Sequence, residues 1–353
     1  MGKVLMKGNE AVGAAAILAG IDSYFAYPIT PQSEIPEYMA KELPKYGKVF
    51  VQAESEVAAI NMVYGASATG ARVMTSSSSP GVALMQEGIS YCAGSELPCV
   101  IINMMRGGPG LGSILPAQAD YFQATRGGGN GDYRNIVYAP SNVQELFDLV
   151  IRAFDKADQY RNPVIVLSDG LIGQMMEPVE VDKKIEHKNF IKDWAVTGTK
   201  GLRKHNIISS FRLQAEQMEE HDNHLFRKYT SMKDNEMMYE ASDVEGAEII
   251  LTGYGSSYRI CKSAKEILER KGIKVGLIRP ITLWPFPAEP YRVIPKSCKF
   301  ILDVEMNFSQ MADDVRIATE CKVPVFHYGR YGGVIPCEEE IVSEVERILK
   351  EEF

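Results

Sequence analysis

The chain has 353 residues, more than one hydrophobic core usually serves, so two domains are expected. Hydrophobic residues make up 45% and charged residues 24%, as in globular proteins, and no segment reaches the roughly 18 apolar residues of a membrane helix. A formal net charge of −8 with dispersed Lys and Arg excludes a nucleic-acid face, which needs a clustered basic patch, so neither nucleic acid nor membrane is an expected partner.

The opening MGKVLMKGNE lacks an apolar stretch with a small-residue cleavage site, and a cytoplasmic location is expected. Residues 9–19 (NEAVGAAAILA) are small and apolar and stop at Gly20, the pattern of a buried helix with a glycine C-terminus. Apolar runs of strand length follow: SYFAYP, KVFVQA, RVMTSS, PCVIINMM, NIVYAP and PVIVLSD. Helix-like segments, including 56–70, 80–93 and 142–160, fall between them. Such alternation predicts an α/β domain with a mostly parallel sheet covered on both faces, over residues 1–180. From 181 to 245 the composition turns charged and polar, which predicts a linker with an exposed helix. A second alternation then runs through AEIILTGYG, a helix to Arg270, KVGLIRPI, KFILDVEMN, a further helix, PVFHYGR and a charged helix at 338–351, predicting a smaller α/β domain over 246–353.

Six cysteines, at 92, 99, 261, 298, 321 and 337, include no CxxC pair and no zinc or iron-sulfur spacing, so reduced thiols and no bound metal are expected. Four of the five histidines, His187, His205, His221 and His224, crowd into one stretch and the fifth is His327, leaving the first 186 residues with none. A Ser-His-Asp or Cys-His device is thereby excluded from that region, and HExxH is absent throughout. His221 and His224 stand in a charged helix-like run, which reads as a solvated face.

The glycine-rich stretches test poorly as nucleotide sites. RGGPGLGS (106–113) follows a strand but lacks the GK[ST] ending of a phosphate-binding loop. GYGSSY (253–258) has Tyr258 where a dinucleotide fold needs Gly or Ala, and the next strand, KVGLIRP, ends in no acid for a ribose hydroxyl; a tight strand-to-helix turn is the preferred reading. The segment QAESEVAAINMVYGASATGAR (52–72) predicts a buried helix opening on Glu54 and Glu56. There the helix dipole favours the carboxylate while burial favours the acid, an opposition suited to proton work; a simple first-turn acid reads equally well. Arg106 ends a strand at the C-terminal edge of the sheet, placed either for a substrate carboxylate or for a neighbouring acid. TSSSSPG (75–81) offers hydroxyls and amides at a helix start, for a ligand or as a cap alone.

Several motifs in order, YPITP (27–31), ESEVAAINMVYGAS, TSSSSPG, NMMRGGPGLG and RPITLWPFP (279–287), resemble the alpha-type subunit of 2-oxoacid:ferredoxin oxidoreductases over essentially the whole chain. YPITPQSE, QADYFQATRGGGNGDYR and LIGQMMEPVE are most similar to the branched-chain type, acting on 3-methyl-2-oxobutanoate, with the 2-oxoglutarate type as the alternative. The resemblance implies a thiamine diphosphate-binding, pyrimidine-domain fold followed by a transketolase C-terminal-like domain. The diphosphate-binding GDG motif with its trailing asparagines is missing, GNGDYRN at 129–135 being a superficial likeness. In multi-subunit members a beta subunit carries that half of the site, with its Mg2+ and an iron-sulfur cluster. Gamma and ferredoxin-like delta subunits, external ferredoxin, coenzyme A as co-substrate and homodimerisation within the complex are implied too.

Residue by residue, Glu56 lies nine positions before the glycine of VYGA, the spacing of the carboxylate that contacts the aminopyrimidine ring and promotes deprotonation of the thiazolium carbon. Glu54 is then a bystander. Pro28, Ile29 and Thr30 correspond to cofactor contacts, Thr30 pointing at cofactor and substrate between two prolines that restrict its backbone. Arg106 corresponds to the arginine that receives the substrate carboxylate. A non-catalytic scaffold subunit is the rival reading, and the pairing of Glu56 with Thr30 speaks against it. A nicotinamide dehydrogenase is disfavoured by Tyr258.

Overall fold

The computed structural model describes residues 2–182, 188 and 190–353; residues 1, 183–187 and 189, His187 among them, lie outside the described part. Its strands in chain order are β1 (Val4–Lys7), β2 (Ser23–Ala26), β3 (Val49–Gln52), β4 (Val73–Ser77), β5 (Cys99–Met105), β6 (Ile136–Tyr138) and β7 (Pro163–Asp169). There follow β8 (Met176–Val179), β9 (Tyr239–Ser242), β10 (Ile249–Thr252), β11 (Val275–Pro280), β12 (Thr282–Trp284), β13 (Phe300–Glu305) and β14 (Val325–Gly329).

A seven-stranded sheet has the order β12-β6-β7-β5-β4-β2-β3 and is parallel except for β12 against β6. Helices cover both of its faces, so β4, β5 and β7 are buried along their whole length and read as continuous rather than alternating apolar runs. A five-stranded sheet, β14-β13-β10-β11-β9, is parallel except for β9 against β11, and a small antiparallel pair joins β1 to β8. The strand β12 lies between β11 and β13 in sequence, yet it completes the first sheet. The two halves of the chain are therefore interleaved through the sequence RPITLWPFP.

The helix Gly8–Leu18 ends before Gly20, which adopts φ +79°. The helix Glu56–Ala68 is built of small residues and packs beside the helix Ser79–Gly94; a Cβ on Gly88 would lie 2.6 Å from Ile60 Cγ2, so glycine there sets the close approach. All six cysteines are free thiols. No helix among the described residues is long and apolar enough to cross a membrane.

The helix Ala215–Asn235 departs from the solvated-face expectation. His221 is buried and its Nε2 donates to Gly94 O at 2.8 Å, while exposed His224 meets Glu96 Oε1 at 2.9 Å and Lys228 Nζ reaches the same oxygen at 3.1 Å. One edge of the helix, His221 with Leu225, Tyr229 and Met232, is buried because the last three join the apolar core, and His221 there satisfies the carbonyl at the C-terminal end of Ser79–Gly94.

Candidate active site

Strands β3, β2, β4 and β5 are successive neighbours and all parallel. The segments leaving their C-terminal ends, QAESE, YPITP, TSSSSPG and RGGPG, therefore meet along one edge, where open α/β sheets bind ligands.

Ser55, in extended conformation, caps the helix Glu56–Ala68 by accepting the Ala58 N–H at 3.1 Å, which fixes Glu56 at the first helical position. Glu56 is 6% exposed, whereas Glu54 is exposed at the surface. The Glu56 carboxylate has no hydrogen-bond or ion-pair partner among the described residues. A Cβ on Gly81 would overlap both Ser77 Oγ and Glu56 Oε1, so glycine lets the start of the next helix close over these two polar groups.

Thr30 is exposed and precedes Pro31 through a cis peptide bond. The Pro31 carbonyl accepts Asn9 Nδ2 at 2.8 Å and Gln174 Nε2 at 2.9 Å, which pins the turn. Beneath it, burial works against the charge of Glu34, but hydrogen bonds from Lys7, Asn9 and Gln174 hold its carboxyl below the ordinary range. Arg106 is buried; its Nη1 donates to Thr30 O at 3.0 Å and its Nη2 to Leu111 O at 2.9 Å. The structure thus brings Thr30 and Arg106 into direct contact and sets Glu56 on the same edge. Pro28 is exposed and Ile29 half-buried on the shared turn.

Thr75 Oγ1, Ser77 Oγ, Ser78 Oγ, Asn103 Oδ1 and Arg106 Nε are buried and lack a hydrogen-bond partner among the described residues. All belong to β4, β5 or the residue following them. Buried polar atoms are nearly always paired, because an unpaired one costs about 1–3 kcal/mol. Five further such atoms, on Asn9, Asn162, Tyr229, Arg279 and Asp303, are spread over other parts of the fold, so half of those among the described residues gather along β4 and β5.

Sequence reasoning missed two further polar groups here. Asp120 accepts Ser79 Oγ at 2.5 Å and Asn103 Nδ2 at 2.9 Å. Gln118, fully buried, donates Nε2 to Tyr254 O at 2.9 Å, while its Oε1 accepts Ser257 Oγ at 2.8 Å and Met306 N at 3.1 Å. Both lie in the QADYF segment, which has no strand period and no glycine signal to single them out. Asp169 was within reach of the argument that selected Arg106, since it ends β7 at the same edge. It accepts Ser256 N and Ser256 Oγ at 2.9 Å each and Ile172 N at 3.2 Å.

This arrangement is shared with known proteins. A split-gene transketolase, 14% identical, superposes over 98% of both chains with a TM-score of 0.60, a likeness of fold alone. A family model described as "Pyruvate flavodoxin/ferredoxin oxidoreductase, thiamine diP-bdg" matches residues 14–241, and one described as "Pyruvate:ferredoxin oxidoreductase core domain II" matches residues 247–341. Fold and site therefore define an oxidoreductase chain with a thiamine diphosphate-binding domain joined to a transketolase-like one.

The relatives are more particular. The ketoisovalerate oxidoreductase subunit VorB of Methanothermobacter marburgensis is 49% identical, with 99% of each chain covered. The 2-oxoglutarate synthase subunit KorA of Archaeoglobus fulgidus is 38% identical, over 97% of this chain and 98% of the relative. The solved 2-oxoglutarate:ferredoxin oxidoreductase from Magnetococcus marinus, with 2-oxoglutarate, coenzyme A and succinyl-CoA bound, matches at 31% identity with a TM-score of 0.87. That match covers 98% of this chain, which spans 65% of the longer Magnetococcus chain. The chain belongs to the 2-oxoacid:ferredoxin oxidoreductase family.

The residues present fit the cofactor that the first family model describes. A buried carboxylate without a partner at a helix start and unpaired hydroxyls on β4 are the hydrogen-bonding groups that a flat nitrogen heterocycle needs.

Proposed function

We propose that this chain supplies the pyrimidine-binding half of a thiamine diphosphate site in a complex that oxidatively decarboxylates 3-methyl-2-oxobutanoate, with coenzyme A as acyl acceptor and ferredoxin as electron acceptor. The observation that carries the reading is that the buried, unpartnered Glu56 carboxylate lies with Ser77 Oγ against Gly81, at the strand ends that also carry the unpaired polar atoms of Ser78, Asn103 and Arg106. A scaffold subunit would have no use for such unpaired groups. The 49% identity to a ketoisovalerate oxidoreductase subunit supports the branched-chain substrate, and 2-oxoglutarate is the second reading, favoured by the relatives at 38% and 31% identity.

Thiamine diphosphate, when bound, supplies the nucleophilic carbon and the electron sink for loss of CO2. Glu56, buried at the start of its helix, would hydrogen-bond a nitrogen of the pyrimidine ring and exchange a proton with it out of contact with bulk water. Arg106 spends one N–H on each of two carbonyls, which leaves three of its five donors, buried Nε included, for the carboxylate of a 2-oxoacid. The Thr30 backbone is held to that guanidinium, because its carbonyl oxygen is one of the two acceptors. The diphosphate, Mg2+ and the iron-sulfur clusters belong to a beta subunit and further gamma and delta partners in this reading, and the complex works in the cytoplasm.

The test is an anaerobic purification of the complex through a tag on this chain, followed by coenzyme A-dependent dye reduction with 3-methyl-2-oxobutanoate, 2-oxoglutarate and pyruvate. Co-purifying brown subunits and fastest turnover of the branched acid are expected. Fastest turnover of 2-oxoglutarate would replace the substrate, and no turnover of any of the three would overturn the function.

A further inference from the structure

Asp120 and Ser79 stand apart from the residues already assigned, yet they reach the same edge. Ser79 Oγ accepts the backbone N–H of Arg106 at 3.0 Å and donates its own proton to Asp120 Oδ2 at 2.5 Å. Asn103 Nδ2 donates to the same carboxylate oxygen at 2.9 Å. Asp120 has no ion-pair partner among the described residues, and burial pushes its carboxyl up against the pull of the Ser79 and Asn103 hydrogen bonds. Ser79 begins the helix Ser79–Gly94 and Asp120 precedes the helix Tyr121–Arg126. The backbone of Arg106 is thus tied to two helix starts, while the Arg106 side chain is tied to Thr30 O and Leu111 O.

A solvated carboxylate would not be needed to cap so short a helix, and Asp120 makes no side-chain cap there. Its hydrogen bonds run instead toward Ser79 and Asn103. Asn103 and Arg106 both also carry buried atoms that lack protein partners. The carboxylate orients the Ser79 hydroxyl so that its lone pair, not its proton, faces Arg106 N.

We propose that Asp120 and Ser79 form a positioning relay, carboxylate to hydroxyl to main-chain amide, that fixes Arg106 at the height where its free N–H groups receive the substrate carboxylate. The inference rests on the reading of Arg106 as the carboxylate receptor. Neither residue touches substrate; both act through Arg106, so they set 2-oxoacid binding and leave coenzyme A alone.

The experiment is a double-mutant cycle on the assembled complex with Ser79→Ala, Arg106→Ala and the pair, read as separate KM values for the 2-oxoacid and coenzyme A. Asp120→Asn is a third variant, since its amide retains one acceptor for Ser79. Ser79→Ala is expected to raise the 2-oxoacid KM about tenfold, the effect of one hydrogen bond, with kcat and the coenzyme A KM within about twofold. In the Arg106→Ala background the same change should add nothing. Amide hydrogen exchange over residues 104–111 should quicken in Ser79→Ala, a readout independent of turnover. If the Ser79→Ala effect persists in full without Arg106, or exchange there is unchanged, the relay is wrong while the Arg106 reading stands on its own variant. If Arg106→Ala leaves the 2-oxoacid KM unmoved, the receptor reading fails, and a remaining Ser79→Ala effect would then count against the relay as well.

Discussion

Both parallel sheets bury polar side chains beyond the C-terminal ends of their strands, but they treat them in opposite ways. Along β4 and β5, hydroxyl, amide and guanidinium atoms are enclosed and left unpaired beside Glu56. Along β13 and β14 the polar groups are knitted to one another. Glu305 accepts Met311 N at 2.9 Å and Asn307 Nδ2 at 2.6 Å, and His327 bridges Asp303 Oδ2 at 2.8 Å and Asn307 O at 3.1 Å. Burial raises the carboxyl of Asp303 to about 7 and also that of Glu305, and it lowers the imidazole of His327, so this cluster favours uncharged forms. Asn307 then donates to Gln118 O at 2.8 Å, which seals the edge against the first sheet. Two similar sheets differ because one edge faces the other domain and one is open to a ligand. The contrast is one of number, since Asp303 Oδ1 is also buried without a partner, against five such atoms along β4 and β5 and the residues that follow them.

Two substitutions test that distinction. Glu56→Ala, at the open edge, is expected to lower turnover of the assembled complex by about 10²–10⁴ while leaving its thermal melting within a few degrees. A large drop in melting temperature with turnover retained would place Glu56 with the scaffold. Gln118→Ala, at the sealed edge, should do the reverse. It strips partners from Ser257 Oγ and Met306 N and should cost about 3 kcal/mol in denaturant-induced unfolding. Loss of less than about 1 kcal/mol would mean that the interface rests on apolar packing instead.

The smallest effect comes from a polar contact outside both edges. Burial acts to raise the carboxyl of Glu96, but Lys228 and His224 pull it down to about 2. Since the folded value lies below the ordinary 4.5, its contribution to stability is complete above pH 4.5 and disappears as the pH falls toward 2. Glu96→Gln should therefore cost under about 1 kcal/mol at pH 7, and its melting temperature should converge on that of the unchanged protein in acid. A gap that does not change with pH would show that shape, not charge, docks the helix Ala215–Asn235.

Much of this was legible in the sequence because the elements are strongly punctuated. Continuous apolar runs bounded by Gly, Pro and Ser located the strands of the first sheet; Arg106 was marked by its strand end and Glu56 by its helix start, while the roles of Glu56 and Thr30 came from the family resemblance. Three features escaped. The run TLW has no period long enough to say which sheet it joins, and the structure places it beside β6. Residues 215–235 are mostly polar, and the charged run hid an apolar face, Leu225, Tyr229 and Met232, that carries His221 into contact with Gly94 O. Asp120 and Gln118 act through partners 17 to 189 positions away, and single-sequence reasoning has no access to such distances.

The passage of β12 into the first sheet bears on how such a gene can be rearranged. A break near residue 245 would deprive the first sheet of its outermost strand and the second of β9, so the two halves are not interchangeable cassettes. Recombination that swapped the C-terminal half between paralogues would also swap the edge of the other half's sheet. Chimeras joined between residues 243 and 281, which exchange strands between both sheets at once, should be recovered as insoluble protein.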